Sequence, residues 1–171
     1  MTAPRFPAPA LRACTVLLLT ATLLIACGFR PRGSVDLPAD FRQVYVEAPY
    51  QIADELEVFL DSGGAAIAKS SADADAVIKV QSEKFQERVV AVDATTGKAR
   101  EYELLYTLDF SVRMKDGAML VPMEPVAIRR VYIFDPTAVL GSTNNVAALH
   151  IDMRRDAAEK IIRRTEAALS P

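Results

Sequence analysis

The side chains here whose types could do chemistry are one histidine, a Thr-Thr-Gly-Lys run, two spaced aspartates, a trio of basic residues and two cysteines. His150 is the only histidine. A metal site would need partners at ligand spacing, as in H-E-x-x-H, and none surrounds it, so it reads as a structural or solvent-facing residue of a helix. Thr95-Thr96-Gly97-Lys98 ends like a phosphate-binding loop but lacks the preceding glycine and the helix start, so it reads as a turn. Asp73 and Asp75 would need several more oxygen ligands to hold calcium, and they read as a solvated turn. There is no G-x-S-x-G elbow. These patterns point to neither a metal site nor a cofactor, and nothing in them recommends an enzyme.

Arg88, Lys98 and Arg100 cluster around what reads as a long hairpin. Basic side chains held out on a hairpin suit phosphate groups, which they meet with charge-assisted hydrogen bonds. The competing reading is cross-strand charge pairing with Glu83, Glu87, Glu101 and Glu103. The aromatics Tyr102, Tyr106, Phe110, Tyr132 and Phe134 recur at strand spacing, which marks core, with partner or acyl-chain contact as the alternative.

Of the two cysteines, Cys14 lies in the apolar run Cys14 to Ile25, which comes after Arg5 and Arg12. That order is a positive n-region and a short apolar h-region, a signal peptide; the run falls short of the ~20 residues of a membrane span. Leu24-Ile25-Ala26-Cys27 resembles the bacterial lipobox. Cleavage before Cys27 removes Cys14, leaving Cys27 without an intramolecular partner, and lipidation explains the odd thiol. Several acyl chains, at ~0.8 kcal/mol per buried CH2, anchor far more firmly than one. Gly28 stands after the cysteine where the inner-membrane sorting pattern has Asp, so the outer membrane, on its periplasmic side, is the expected site.

The elements that must position these residues can be read from periodicity. Residues 1–26 are the expected signal peptide, 27–40 a lipidated N-terminus and tether with Pro31, Gly33 and Pro38, and 41–171 a single domain. Gln43 to Ala48 is a β-rich run ended by Pro49. Ile52, Leu56, Phe59 and Leu60 then mark a helix closed by Gly63-Gly64. Ala65 to Ser71 carries only a weak strand signal. Val77 to Val92 and Tyr102 to Met114 are two strands of a long hairpin around the Asp93 to Lys98 turn. In the second, Tyr102, Leu104, Tyr106, Leu108, Phe110 and Val112 share one parity. Pro122 and Pro125 interrupt or edge the next stretch, and Val126 to Asp135 is a further strand. Thr137 to Asn145 reads as a loop. The last helix shows Leu149, Met153, Ala157 and Ile161 on one row, broadened by Val146, Ala158 and Ile162. The order β-α-β-β-β-α predicts an α+β fold with two helices on one face of a mixed four-stranded sheet. The chain has 20 Lys plus Arg against 22 Asp plus Glu, and loss of Arg5 and Arg12 makes the remainder more acidic still, which disfavours bulk nucleic-acid binding.

In order and spacing, Cys27 to Gly33, the hairpin ending in Arg100-Glu101-Tyr102, Val131 to Pro136 and the closing Asp156 to Arg164 resemble the lipopolysaccharide-assembly lipoprotein LptE (RlpB) family. The resemblance implies two helices against a four-stranded sheet, residence inside the β-barrel of LptD, help in assembling that barrel, and a part in lipopolysaccharide transport to the cell surface, without catalysis. It also implies basic residues at the hairpin tip and in the loop before the last helix that meet lipopolysaccharide phosphates. Thr95 and Ser142 stand where such residues would be sought, leaving Lys98 and Arg100 as the nearest substitutes. A lipid-anchored scaffold of a different envelope complex is the competing class, and a lipid-anchored enzyme a third.

Overall fold

The period-2 run from Tyr102 to Met114 is the spine of the fold. A computed structural model describes residues 41–134 and 139–170, the side chains of 139–145 excepted. Cys27, the signal segment, the tether, Asp135 to Ala138 and Pro171 therefore lie outside the described residues. Within them the elements are β1 (Gln43–Glu47), α1 (Tyr50–Ser62), β2 (Ala66–Ile67), β3 (Ala76–Val92), β4 (Ala99–Met114), β5 (Met119–Ile133) and α2 (Val139–Leu169). The sheet order is β2-β1-β3-β4-β5. β1 is parallel to β2 and β3, and β3-β4-β5 form an antiparallel meander, so the sheet is mixed.

The expected α+β order holds, but the sheet has five strands rather than four. The extra strand, β2, is two exposed residues long. It shows no alternation because it buries neither side chain, and backbone pairing makes it: Ala66 N–H donates to Arg42 O at 2.7 Å and Ala68 N–H to Val44 O at 2.9 Å. β5 also begins earlier than its prolines suggest. It is an edge strand, where a missing N–H costs no ladder bond. Pairing steps from Phe110↔Glu124 to Val112↔Val121, one residue too many on β5, so Pro122 and Met123 occupy a bulge. The stretch 139–145, expected as loop, is the start of α2. Its Gly, Ser and Asn residues are weak helix formers, but propensity is a weak prior, and extending an existing helix avoids the cost of nucleation.

A second bulge governs the hairpin. Pairing steps from Gln81↔Asp109 to Lys84↔Thr107, with Ser82 at φ 59, a left-handed backbone in a non-glycine residue. One extra residue exchanges the faces of a strand. Before the bulge Ala76, Ile78 and Val80 are buried; after it the odd-numbered Glu83, Phe85 and Glu87 turn to the helix side, where Glu83 meets Arg154, Phe85 meets His150, and Glu87 meets Tyr132.

Both helices bury their apolar rows in one cluster with the even-numbered face of β4. α1 contributes Ile52, Leu56 and Leu60, and α2 contributes Met153, Ala157, Ala158, Ile161 and Ile162. Leu104, Tyr106, Leu108, Phe110 and Val112 face them. Each large side chain so buried contributes about 2 kcal/mol of transfer free energy. Gly64, at φ +80, lets the chain leave α1 while Ala65 N–H closes on Leu60 O at 2.9 Å. Asp75 ties the base of the sheet: its carboxylate accepts from Gln43 N–H at 3.0 Å and its carbonyl from Lys115 N–H at 2.7 Å.

Candidate functional site

β1 pairs with β3 only as far as Lys79, so β3-β4-β5 continue beyond it as a three-stranded ribbon. From Lys84 to Val92 the ribbon runs on for roughly 25–30 Å. Its tip is a closed turn. Asp93 Oδ1 accepts from Thr95 N–H at 3.0 Å, Thr96 N–H at 2.8 Å and Thr96 Oγ1 at 3.0 Å. Gly97, at φ +66, donates its N–H to Asp93 O at 2.8 Å, and Asp93 N–H reaches Lys98 O at 2.8 Å. These donors, Thr96 first, hold the Asp93 carboxyl below its ordinary value, with Arg100 adding a smaller pull. The carboxylate is thus largely engaged by the turn, and Thr95 to Lys98 are a turn rather than a phosphate loop.

Lys98 and Arg100 come together here. They line an open cleft of about 430 Å³ with Asp93, Thr96, Ala99, Ile133 and Phe134. Phe134 N–H donates to Arg100 O at 2.9 Å, which carries the β4-β5 pairing to the cleft wall. Around it the surface is apolar: Val92 is 59% and Ile133 63% exposed. Cations beside exposed valine and isoleucine suit a ligand with both anionic and apolar parts.

Arg88 does not belong to this cleft. It pairs across the strands with Glu103, on the odd-numbered face of β4, and its Nε donates to Glu103 Oε1 at 2.8 Å. This partner raises the Arg88 pKa and lowers that of Glu103. The charge-pair reading therefore describes Arg88. Arg129, missed in the sequence, also lies on this face, opposite Leu105, and its field lowers Glu103 further. The signal for it was alternation within Arg129-Arg130: one side chain must face away from the helix, while Arg130 pairs with Asp156 on α2.

The ribbon is held to α2 by a polar and aromatic clasp. Glu83 Oε1 accepts from Tyr106 Oη at 3.0 Å and from Arg154 Nε at 2.9 Å. Burial first, then Glu83, pushes the Tyr106 phenol well above its ordinary range. Tyr132 Oη donates to Glu87 Oε2 at 3.0 Å, and Tyr102 stacks on Tyr132 with ring centres 5.4 Å apart. Tyr106, Phe110 and Tyr132 are buried and Tyr102 and Phe134 half-buried, so the aromatic row is mainly core. His150 lies against Phe85, ring centres 4.1 Å apart, a packing role.

Two helices on one side of a mixed sheet, with a hairpin that outruns the sheet to a tip carrying Lys98 and Arg100, define an α+β fold that solved lipoproteins share. Solved structures with this fold include lipoprotein B from Nitrosomonas europaea, 26% identical, covering 84% of this chain and 93% of that one at a TM-score of 0.69. Rare lipoprotein B from Shewanella oneidensis is 21% identical, with 73% and 94% covered and a TM-score of 0.63. A minor lipoprotein from Acinetobacter baumannii is 21% identical, with 76% and 94% covered and a TM-score of 0.62. No curated protein matches by sequence. The family model for lipopolysaccharide assembly, LptE, matches residues 41–165, and the chain belongs to that family.

Proposed function

We propose that this chain is an outer-membrane lipoprotein, lipidated on Cys27, whose domain assembles and plugs the LptD barrel while its hairpin tip contacts lipopolysaccharide. Membership of the lipopolysaccharide-assembly family over residues 41–165 is the observation that carries the reading. A folded domain of this size suits the polar lumen of a wide barrel. A lipid anchor makes each re-encounter with the barrel effectively intramolecular. Lys98 and Arg100, converging on a cleft with apolar walls, fit the phosphates and flanking acyl chains of lipopolysaccharide. Arg88 is the weaker member of the trio because Glu103 already neutralises it.

The test is co-purification of the tagged, lipidated protein from detergent-solubilised outer membrane, then measurement of lipopolysaccharide binding. Stoichiometric LptD supports the plug; another assembly, or no barrel, overturns it and favours a scaffold of a different envelope complex. The double change Lys98→Glu with Arg100→Glu is expected to weaken lipopolysaccharide binding about tenfold or more while LptD recovery is unchanged. Arg88→Glu is expected to act far less. Intact binding in the double variant removes these two residues from the lipid site.

A further inference from the structure

The two halves of α2 are packed on the sheet to different depths. From Met153 onward, Met153, Ala157, Ala158, Ile161, Ile162 and Thr165 are buried. Between 146 and 152 no residue is fully buried: Val146 and Leu149 are half-buried against the edge of the core, and Ala147, Ala148, Ile151 and Asp152 are exposed. The main ring contact of this segment with the ribbon is His150 on Phe85, at 4.1 Å between centres, and Phe85 in turn stacks on Tyr106 at 4.3 Å. One turn on, the Arg154 guanidinium sits 4.8 Å from the centre of the same Phe85 ring.

We propose that the His150–Phe85 contact is an acid-released latch: a neutral imidazole helps keep residues 146–152 of α2 docked on the hairpin, and a proton on it loosens that segment. The geometry gives the reason. A protonated imidazole would lie beside the Arg154 guanidinium against the same ring, in a half-buried position that disfavours charge; this repulsion and burial oppose the cation–π attraction that the ring itself offers.

The groups around His150 decide whether that cation finds compensation. On its own helix the neighbour is Arg154. From β3 come Glu83 and Glu87, from β4 Tyr106, and from β5 Tyr132. Glu83 is occupied by Arg154 and the Tyr106 hydroxyl, and Glu87 accepts from the Tyr132 hydroxyl. Glu87 alone favours the proton, while burial and Arg154 oppose it and together hold the imidazole below its ordinary 6.5. The docked state prefers the neutral ring. Docking is therefore at full strength above about pH 6.5, weakens as the pH falls towards the lowered docked-state value, and stays weak below it. Release bares the His150 side of the Phe85 ring.

Hydrogen exchange on the full chain in detergent tests this, with or without a barrel partner. After correction for intrinsic rates, amide protection across 146–152 is expected to fall about threefold or more between about pH 7.5 and pH 5.5, while the segment after Met153 holds. His150→Phe keeps a ring without a titrating group, and His150→Gln removes the ring; in both, protection of 146–152 is expected not to change with pH. With one histidine in the chain, the imidazole gives a single NMR titration. Unchanged wild-type protection, the same fall in both variants, or an imidazole titrating at or above 6.5 would each overturn the latch.

Discussion

Glu83 satisfies two donors from two elements, the Tyr106 hydroxyl of β4 and the Arg154 guanidinium of α2, with side chains only 15% and 16% exposed for Glu83 and Arg154. Removing a shared acceptor from such a place strands both donors. Glu83→Ala is therefore expected to cost about 2–3 kcal/mol, read as a lower denaturation midpoint at unchanged slope. The pair Lys79–Glu47 is a control of similar length, 2.7 Å, but 44% and 52% exposed. Glu47→Ala is expected to change stability by no more than about 0.5 kcal/mol. The sequence offered Glu83 as an ordinary charge partner and did not single out Glu47. Only the folded sheet separates them, and the same limit applies to the basic trio: Lys98 and Arg100 share a cleft, while Arg88 is paired with Glu103 in the field of Arg129.

Elements with a strong period were legible, and those that break a period were not. The alternation of β4 and the apolar rows of α1 and α2 identified the core because burial imposes periods of two and 3.6. β2 buries nothing and gave only a weak signal, and the first part of β5 carries prolines where edge and bulge excuse them, so that strand was legible only from Val126 onward. The Ser82 bulge was silent for another reason: a one-residue shift is stored in backbone geometry, and serine is an ordinary strand-surface residue. Yet that residue turns Phe85 and Glu87 to the helix side. At φ 59 a β-branched side chain is strained, whereas glycine is at ease. Ser82→Val is expected to cost about 1–2 kcal/mol, and Ser82→Gly to lie within about 0.5 kcal/mol of the parent, both by chemical denaturation. Equal effects of the two would mean that the bulge does not depend on the left-handed conformation.

At the scale of the whole molecule, stability and the candidate contact site occupy different ends. The core draws on α1, α2, the base of β3 and β4 from Leu104 onward, with Tyr132 as its outermost buried aromatic. Nothing from Val92 to Arg100 enters it, although this stretch holds the turn, Lys98, Arg100 and most of the cleft. The tip can then be removed without taking down the domain. Ala91 pairs with Glu101, so replacing Val92–Arg100 by Asn-Gly caps that pair with a two-residue turn whose backbone suits the strand twist. The shortened chain is expected to unfold within about 1 kcal/mol of the parent, since it loses exposed surface and a loop whose closure entropy is small. It is expected to recover LptD as before and to lose lipopolysaccharide binding to the level of the Lys98, Arg100 double variant. Loss of LptD together with the lipid, in a chain that still folds, would place the barrel contact on the tip as well and merge the two ends into one interface.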